Sequence, residues 1–230
     1  FERGSLSAAL SGSTLAGSAG PAYVSVDLTT LASSDAGERP PLDLALVVDR
    51  SGSMAGDKLV AAKQAARSII ARLAPRDRVA LVEYDSAADV LVPLVALDAA
   101  GRDRLAHAIA GITDRGGTNL HGGMVLGLEQ VARSAGAGRL NRVVLLSDGQ
   151  ANEGITDGGA LGQIAGQAAD RGVRLTTVGV GLDYNEDLME LLAERGRGRY
   201  HYVKDAGSLE SVFASELGEL KGTVATAAEM

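Results

Sequence analysis

The chain of 230 residues, 46% of them apolar, is long enough to bury one core of generous size. Its formal net charge of −7 argues against general nucleic-acid binding, which needs a basic surface to displace counterions. Cysteine is absent, which excludes disulfides, thiolate-bound zinc, iron–sulfur clusters and cysteine nucleophiles. Residues 4–20 are a low-complexity run of Gly, Ser, Ala, Leu and Thr. Ala22, Val24, Val26 and Leu28 then alternate with Tyr23, Ser25, Asp27 and Thr29, the period of a half-buried strand. Ser33 to Pro41 contains Gly37, Pro40 and Pro41 and reads as a turn or linker. The chain therefore divides into an N-terminal extension (1–40), a main domain (41–221) and a tail (222–230).

Within the main domain, Leu44 to Val48 is a continuous apolar run, the pattern of a parallel strand buried on both faces. Leu59, Ala62, Ala66, Ile69, Ile70 and Leu73 form one stripe of a helix over 57–73. Val79 to Tyr84 reads as a second strand. Val90 to Pro93 reads as a short third, its proline suited to a sheet edge. Helical stripes recur at Leu105/Ala108/Ile109/Ile112 and at Leu120/Met124/Leu128/Val131. Buried strands recur at Val143 to Leu146 and Val173 to Val180, with a last strand at Arg199 to Val203. Further helices are expected near 156–171, 186–195 and 207–221. This alternation predicts an α/β fold, doubly wound, with a mostly parallel six-stranded sheet flanked by helices. Residues 22–30 and a possible strand from Thr223 are expected to feed a small β-rich appendage at the chain ends.

No stretch approaches the roughly 18–20 apolar residues of a membrane span. The chain opens on Phe1 without a basic–apolar–small signal pattern, and the compartment stays open between cytoplasm and bacterial cell surface.

In such a sheet, ligands bind beyond the carboxyl ends of the strands where strand order reverses. Asp49-Arg50-Ser51-Gly52-Ser53-Met54 follows the first apolar run, and Ser147-Asp148-Gly149 follows Val143 to Leu146. Gly116-Gly117-Thr118-Asn119 precedes a helical stripe between them. Asp49, Ser51 and Ser53, at alternate positions in a tight loop, can turn a carboxylate and two hydroxyls toward one point. Thr118 and Asp148 complete five hard oxygen donors with only two formal charges. That set suits Mg²⁺, with Mn²⁺ or a more highly coordinated Ca²⁺ as alternatives. With few carboxylates, the ion would keep excess positive charge for an anionic ligand.

These three motifs, in this order at these strand ends, resemble the metal-ion-dependent adhesion site of von Willebrand factor type A domains. The resemblance covers about 41–221, and Pro41 to Met54 and Arg142 to Gly154 look like bacterial members. It implies Asp49, Ser51 and Ser53 as direct or water-mediated ligands, Thr118 as a ligand that switches between the two modes, and Asp148 as usually acting through water. It also implies a protein partner whose carboxylate completes the ion's coordination.

Other readings of the same residues are weaker. A lone Asp-x-Ser-x-Ser is more often a helix cap or turn. Gly116, Gly117, Gly122 and Gly123 read as backbone freedom around the loop rather than a phosphate cradle. Gly56-Asp57-Lys58-Leu59 breaks the ending a phosphate-binding loop requires. Gly179-Val180-Gly181 lacks the third glycine of a dinucleotide site, and Ser51 is in no Gly-x-Ser-x-Gly elbow. An aspartyl nucleophile at Asp49 would want a second carboxylate where Ser51 stands. No enzyme is expected. Two further functions are kept beside the binding module: a subunit of an intracellular assembly serving a chaperone-like ATPase and, remotely, a phosphohydrolase. Arg50 reads either as charge offered to an acidic ligand or as a solvated surface residue. Asp85 and Asp114 read first as ordinary loop acids and otherwise as acids that support the ligands of the site from behind, and His121 as structural or lining the rim. His107 and His201 lack ligand spacing.

Overall fold

The computed structural model describes residues 40–133, 138–181 and 184–203. In chain order the strands are β1 (Leu42–Asp49), β2 (Arg78–Tyr84), β3 (Ala88–Ala96), β4 (Leu140–Ser147), β5 (Val173–Val180) and β6 (Arg197–Val203). The helices are α1 (Asp57–Arg72), α2 (Ala99–Gly111), α3 (Leu120–Ala132), α4 (Gly158–Asp170) and α5 (Glu186–Arg195). The strands form one sheet in the order β3-β2-β1-β4-β5-β6, parallel throughout except for the β2–β3 pair. This is the six-stranded, mostly parallel α/β arrangement expected. The proposed appendage (residues 22–30 and the segment from Thr223) and the helix over 207–221 lie outside the described residues.

Every residue of β1 is buried, as its central place between β2 and β4 requires. Ala45 and Val47 pack with Val82, Val143 and Leu145 against Leu120, Met124, Leu161 and Leu188 of α3, α4 and α5. By strand alternation Leu44, Leu46 and Val48 point to the other face, where α1 lies with α2 against it. Burying such Leu and Val side chains contributes about 1.5–3 kcal/mol each. Asp43, the one acid inside the start of β1, is held by the guanidinium groups of Arg78 and Arg139.

Four helices start on an acid or amide whose side chain accepts a backbone N–H two or three residues into the first turn. The pairs are Asp98 with Gly101, Asn119 with Gly122, Asp157 with Ala160, and Asn185 with Leu188. β3 is longer than its apolar core predicts and carries Pro93, exposed, in its interior. An antiparallel edge strand tolerates the missing N–H. The connections leave β1 and β4 on opposite sides, so a crevice opens at their carboxyl ends.

Candidate metal centre

Asp49 is the last residue of β1 and is fully buried. Its Oδ1 accepts the backbone N–H of Ser51 at 2.9 Å, which folds the chain back in an Asx-type turn. A single 3-10 turn, Gly52–Met54, follows, anchored by fully buried Met54. It brings the Ser51 and Ser53 hydroxyl oxygens within 3.0 Å of each other. Asp49 Oδ2 accepts the Ser147 hydroxyl at 2.6 Å and the Tyr84 hydroxyl at 3.1 Å. The ends of β1, β2 and β4 thus meet on one carboxylate.

The other two loops are laced to the first by main-chain hydrogen bonds. Gly52 N–H donates to Gly116 O at 3.1 Å, and Arg115 N–H to Arg50 O at 2.8 Å. Thr118, buried, accepts on its carbonyl from the N–H groups of Asn152 and Glu153 at 3.1 and 3.2 Å. The Thr118 N–H donates in turn to Asn152 Oδ1 at 2.8 Å. Asp148, fully buried, receives the Gln150 N–H at 3.4 Å and lies 3.2 Å from Lys58 Nζ. The structure therefore gathers Asp49, Ser51, Ser53, Thr118 and Asp148 on three interlinked loops at one end of the sheet.

The electrostatics of Asp49 are unusual for a carboxylate. Burial pushes its carboxyl above the usual range, the Ser147 and Ser51 bonds pull it partly back, and the nearby Asp148 charge raises it further. All its donors are neutral. Tyr84 is also driven well above its ordinary value, first by burial and then by Asp49, so it stays protonated and donates. Hydroxyl and carboxylate oxygens are the donors Mg²⁺ prefers, and no cluster of three or more His, Cys, Asp or Glu with metal-binding placement occurs among the described residues. The residues present fit a hard divalent cation held largely by hydroxyls.

Arg50 corrects both of its sequence readings. It is buried, with Nη1 2.9 Å from Glu83 Oε1 and Nη2 2.8 Å from Asp85 Oδ2. Neither a surface residue nor a free charge, it bolts the first loop to β2. Asp85 is likewise no ordinary loop acid: it is buried and also binds Arg115 Nε at 2.9 Å. Burial works against its charge, but the Ala87 N–H, Arg115 and Arg50 prevail and hold its carboxyl below the usual range. Glu83, farther inside, is raised by burial despite Arg50 and Arg115. Asp114 is exposed, as a loop acid should be. His121 is half-buried in the first turn of α3, and His107 is exposed, its Nδ1 2.7 Å from Asp103 O.

Sequence reasoning did not single out Ser147, Tyr84, Asn152 or Lys58. Ser147 and Tyr84 carried a usable signal, being the last residues of β4 and β2 beside Asp49. Gly123 carried another. A Cβ there would stand 2.3 Å from Tyr84 Cδ1, so the glycine lets α3 lie against the ring that reaches Asp49. Lys58 and Asp148, ninety positions apart, had none.

A family model for the von Willebrand factor type A domain matches residues 43–215. The uncharacterized protein YfbK of Escherichia coli is 30% identical over 190 residues, which are 82% of this chain and 33% of that protein. Human inter-alpha-trypsin inhibitor heavy chain H4 is 29% identical over 159 residues, 66% of this chain and 17% of that protein. The chain thus spans a third or less of these two relatives' length. Among solved structures, the vWF domain of the type V pili tip protein Mfa5 from Porphyromonas gingivalis has a TM-score of 0.66 at 14% identity. The match covers 84% of this chain and 99% of that one, a likeness of fold. With its motifs, strand order and matched span in agreement, the chain belongs to the von Willebrand factor type A domain family.

Proposed function

We propose that this chain is a divalent-cation-dependent protein-binding module. Asp49, Ser51, Ser53, Thr118 and Asp148 hold the cation, directly or through water, and an acidic group of a protein partner completes the coordination. The observation that carries this reading is the Asp49 carboxylate, fully buried, fixed by three neutral donors and set near a second buried carboxylate. A buried charge so arranged is stabilised by a cation. The Ser51 and Ser53 hydroxyls, hydrogen-bonded to each other at 3.0 Å, are close enough to serve one ion together.

The bound ion would supply a Lewis-acidic position for an anionic oxygen. The chain's own residues do the rest: Ser147 and Tyr84 orient Asp49, Asn152 fixes the Thr118 backbone, and the laced loops keep the donors in place before any ligand arrives. Relatives by name include a pilus tip protein and an inhibitor heavy chain, in keeping with a role in adhesion or assembly rather than catalysis.

Calorimetric titration of the 230-residue chain with Mg²⁺ tests the site. The wild type is expected to bind one ion, and Asp49→Ala, with unchanged circular dichroism, is expected to lose it. Equal binding by both proteins overturns the assignment. Pull-downs with and without EDTA read the partner's dependence on the ion.

A further inference from the structure

Among the described residues, Lys58 is the one basic side chain paired with a carboxylate of the proposed donor set. It is the second residue of α1, where the helix dipole disfavours a cation, so its position is not explained by local helix preference. Its ammonium lies 3.2 Å from Asp148 Oδ2, and its side chain is 23% exposed while that of Asp148 is not exposed at all. The stem crosses Gly181, just beyond β5. A Cβ on Gly181 would stand 2.5 Å from Lys58 Cε and 3.0 Å from Cδ, and the residue has φ +91°, a conformation that favours glycine. The fold thus clears a track for this lysine from α1 to the strand end that carries Asp148.

We propose that Lys58 is the specificity-determining residue that makes the cation-loaded site select an acidic group. This rests on the cation site proposed above. Asp49 and Asp148 bring two formal negative charges, and Lys58 cancels one. A divalent ion then leaves the site with a net charge of +1, and a single carboxylate closes the balance. With a neutral residue at position 58, the two aspartates alone would balance the ion, and an arriving acid would meet no net charge. The surrounding charges do not upset this difference. Arg50, Arg115, Glu83 and Asp85 balance one another, and Glu153, bonded to Ser86 Oγ at 2.8 Å on the rim, is present with or without Lys58. Lys58 also repels the incoming cation. It therefore weakens the ion and strengthens the acid, two effects of opposite sign that a merely structural lysine would not produce.

The experiment titrates the full chain with Mn²⁺ at pH 7, with chloride or acetate as the anion, for wild type, Lys58→Met, Lys58→Gln and Lys58→Arg. Both neutral variants are expected to bind Mn²⁺ about tenfold tighter in chloride, as removal of one nearby like charge implies. Acetate is expected to tighten Mn²⁺ binding in the wild type and in Lys58→Arg but not in the neutral variants. If Lys58→Met does not fold, as circular dichroism would show, the polar, uncharged Lys58→Gln carries the comparison. Unchanged or weaker Mn²⁺ binding by the folded neutral variants overturns the role of Lys58, as does an acetate effect that survives in them. A wild type that binds no Mn²⁺ overturns the cation site itself, and this inference falls with it.

Discussion

Asp85 binds Arg50, Arg115 and the Ala87 N–H, and it does so against its own burial. Removing one partner of a buried ion pair leaves an uncompensated charge and costs roughly 3 kcal/mol or more. Asp85→Asn is therefore expected to lower stability by about 3 kcal/mol at pH 7, read from urea unfolding. The carboxyl is held below its ordinary 3.8, so its contribution is complete above that pH and disappears as pH falls through the lowered value. The gap between variant and wild type should close below pH 3.8; a gap that stays constant to pH 2 contradicts the ion-pair account. At this scale the sequence was only partly readable. Asp49, Ser51, Ser53, Thr118 and Asp148, the proposed donors, were picked out by oxygen chemistry in the loops beyond strand ends. Arg50 was not, because its partners Glu83 and Asp85 come from the neighbouring strand and its end, and no local pattern encodes such pairings.

Among the elements, α3 is placed by Gly123, which allows the helix to close on the Tyr84 ring. Gly123→Ala pushes a methyl into that ring, and overpacking of this kind costs about 1–3 kcal/mol. Because Tyr84 donates to Asp49, the same substitution is expected to weaken Mg²⁺ binding several-fold, measured by calorimetry beside a denaturation curve. Loss of stability with full ion affinity would separate the helix contact from the site. The buried strands and striped helices were readable because apolar periodicity reports burial directly. The ends of β3 were not: Ala88 and Asp89, a poor strand former and an acid, pair with Tyr84 and Glu83, and Leu94 to Ala96 continue the strand past Pro93, where the sequence reading ends it. Antiparallel pairing at an exposed edge needs no hydrophobic signal.

Over the molecule as a whole, the proposed ion site would couple binding to folding. A ligand that binds the folded state alone adds about 2.7 kcal/mol at a hundred times its dissociation constant. The thermal midpoint is expected to rise with Mg²⁺, to fall back on EDTA, and to ignore both in Asp49→Ala. A wild-type midpoint insensitive to saturating Mg²⁺ would rule out a folded-state site. The strand order β3-β2-β1-β4-β5-β6 puts that site at the reversal point, so the doubly wound fold inferred from strand and helix alternation also located the crevice.

The hydrogen bonds that lace the three loops run from Gly52 to Gly116, Arg115 to Arg50, and Asn152 and Glu153 to Thr118, all through main-chain atoms. Their donors and acceptors survive any change of side chain short of proline. The shape of the platform is therefore inherited separately from its chemistry. A descendant of this chain that exchanged Ser51, Ser53 and Thr118 for alanines would keep three loops in the same place, with only Asp49 and Asp148 left of the proposed donors. The same scaffold can thus keep its three loops while the proposed donors are exchanged one residue at a time.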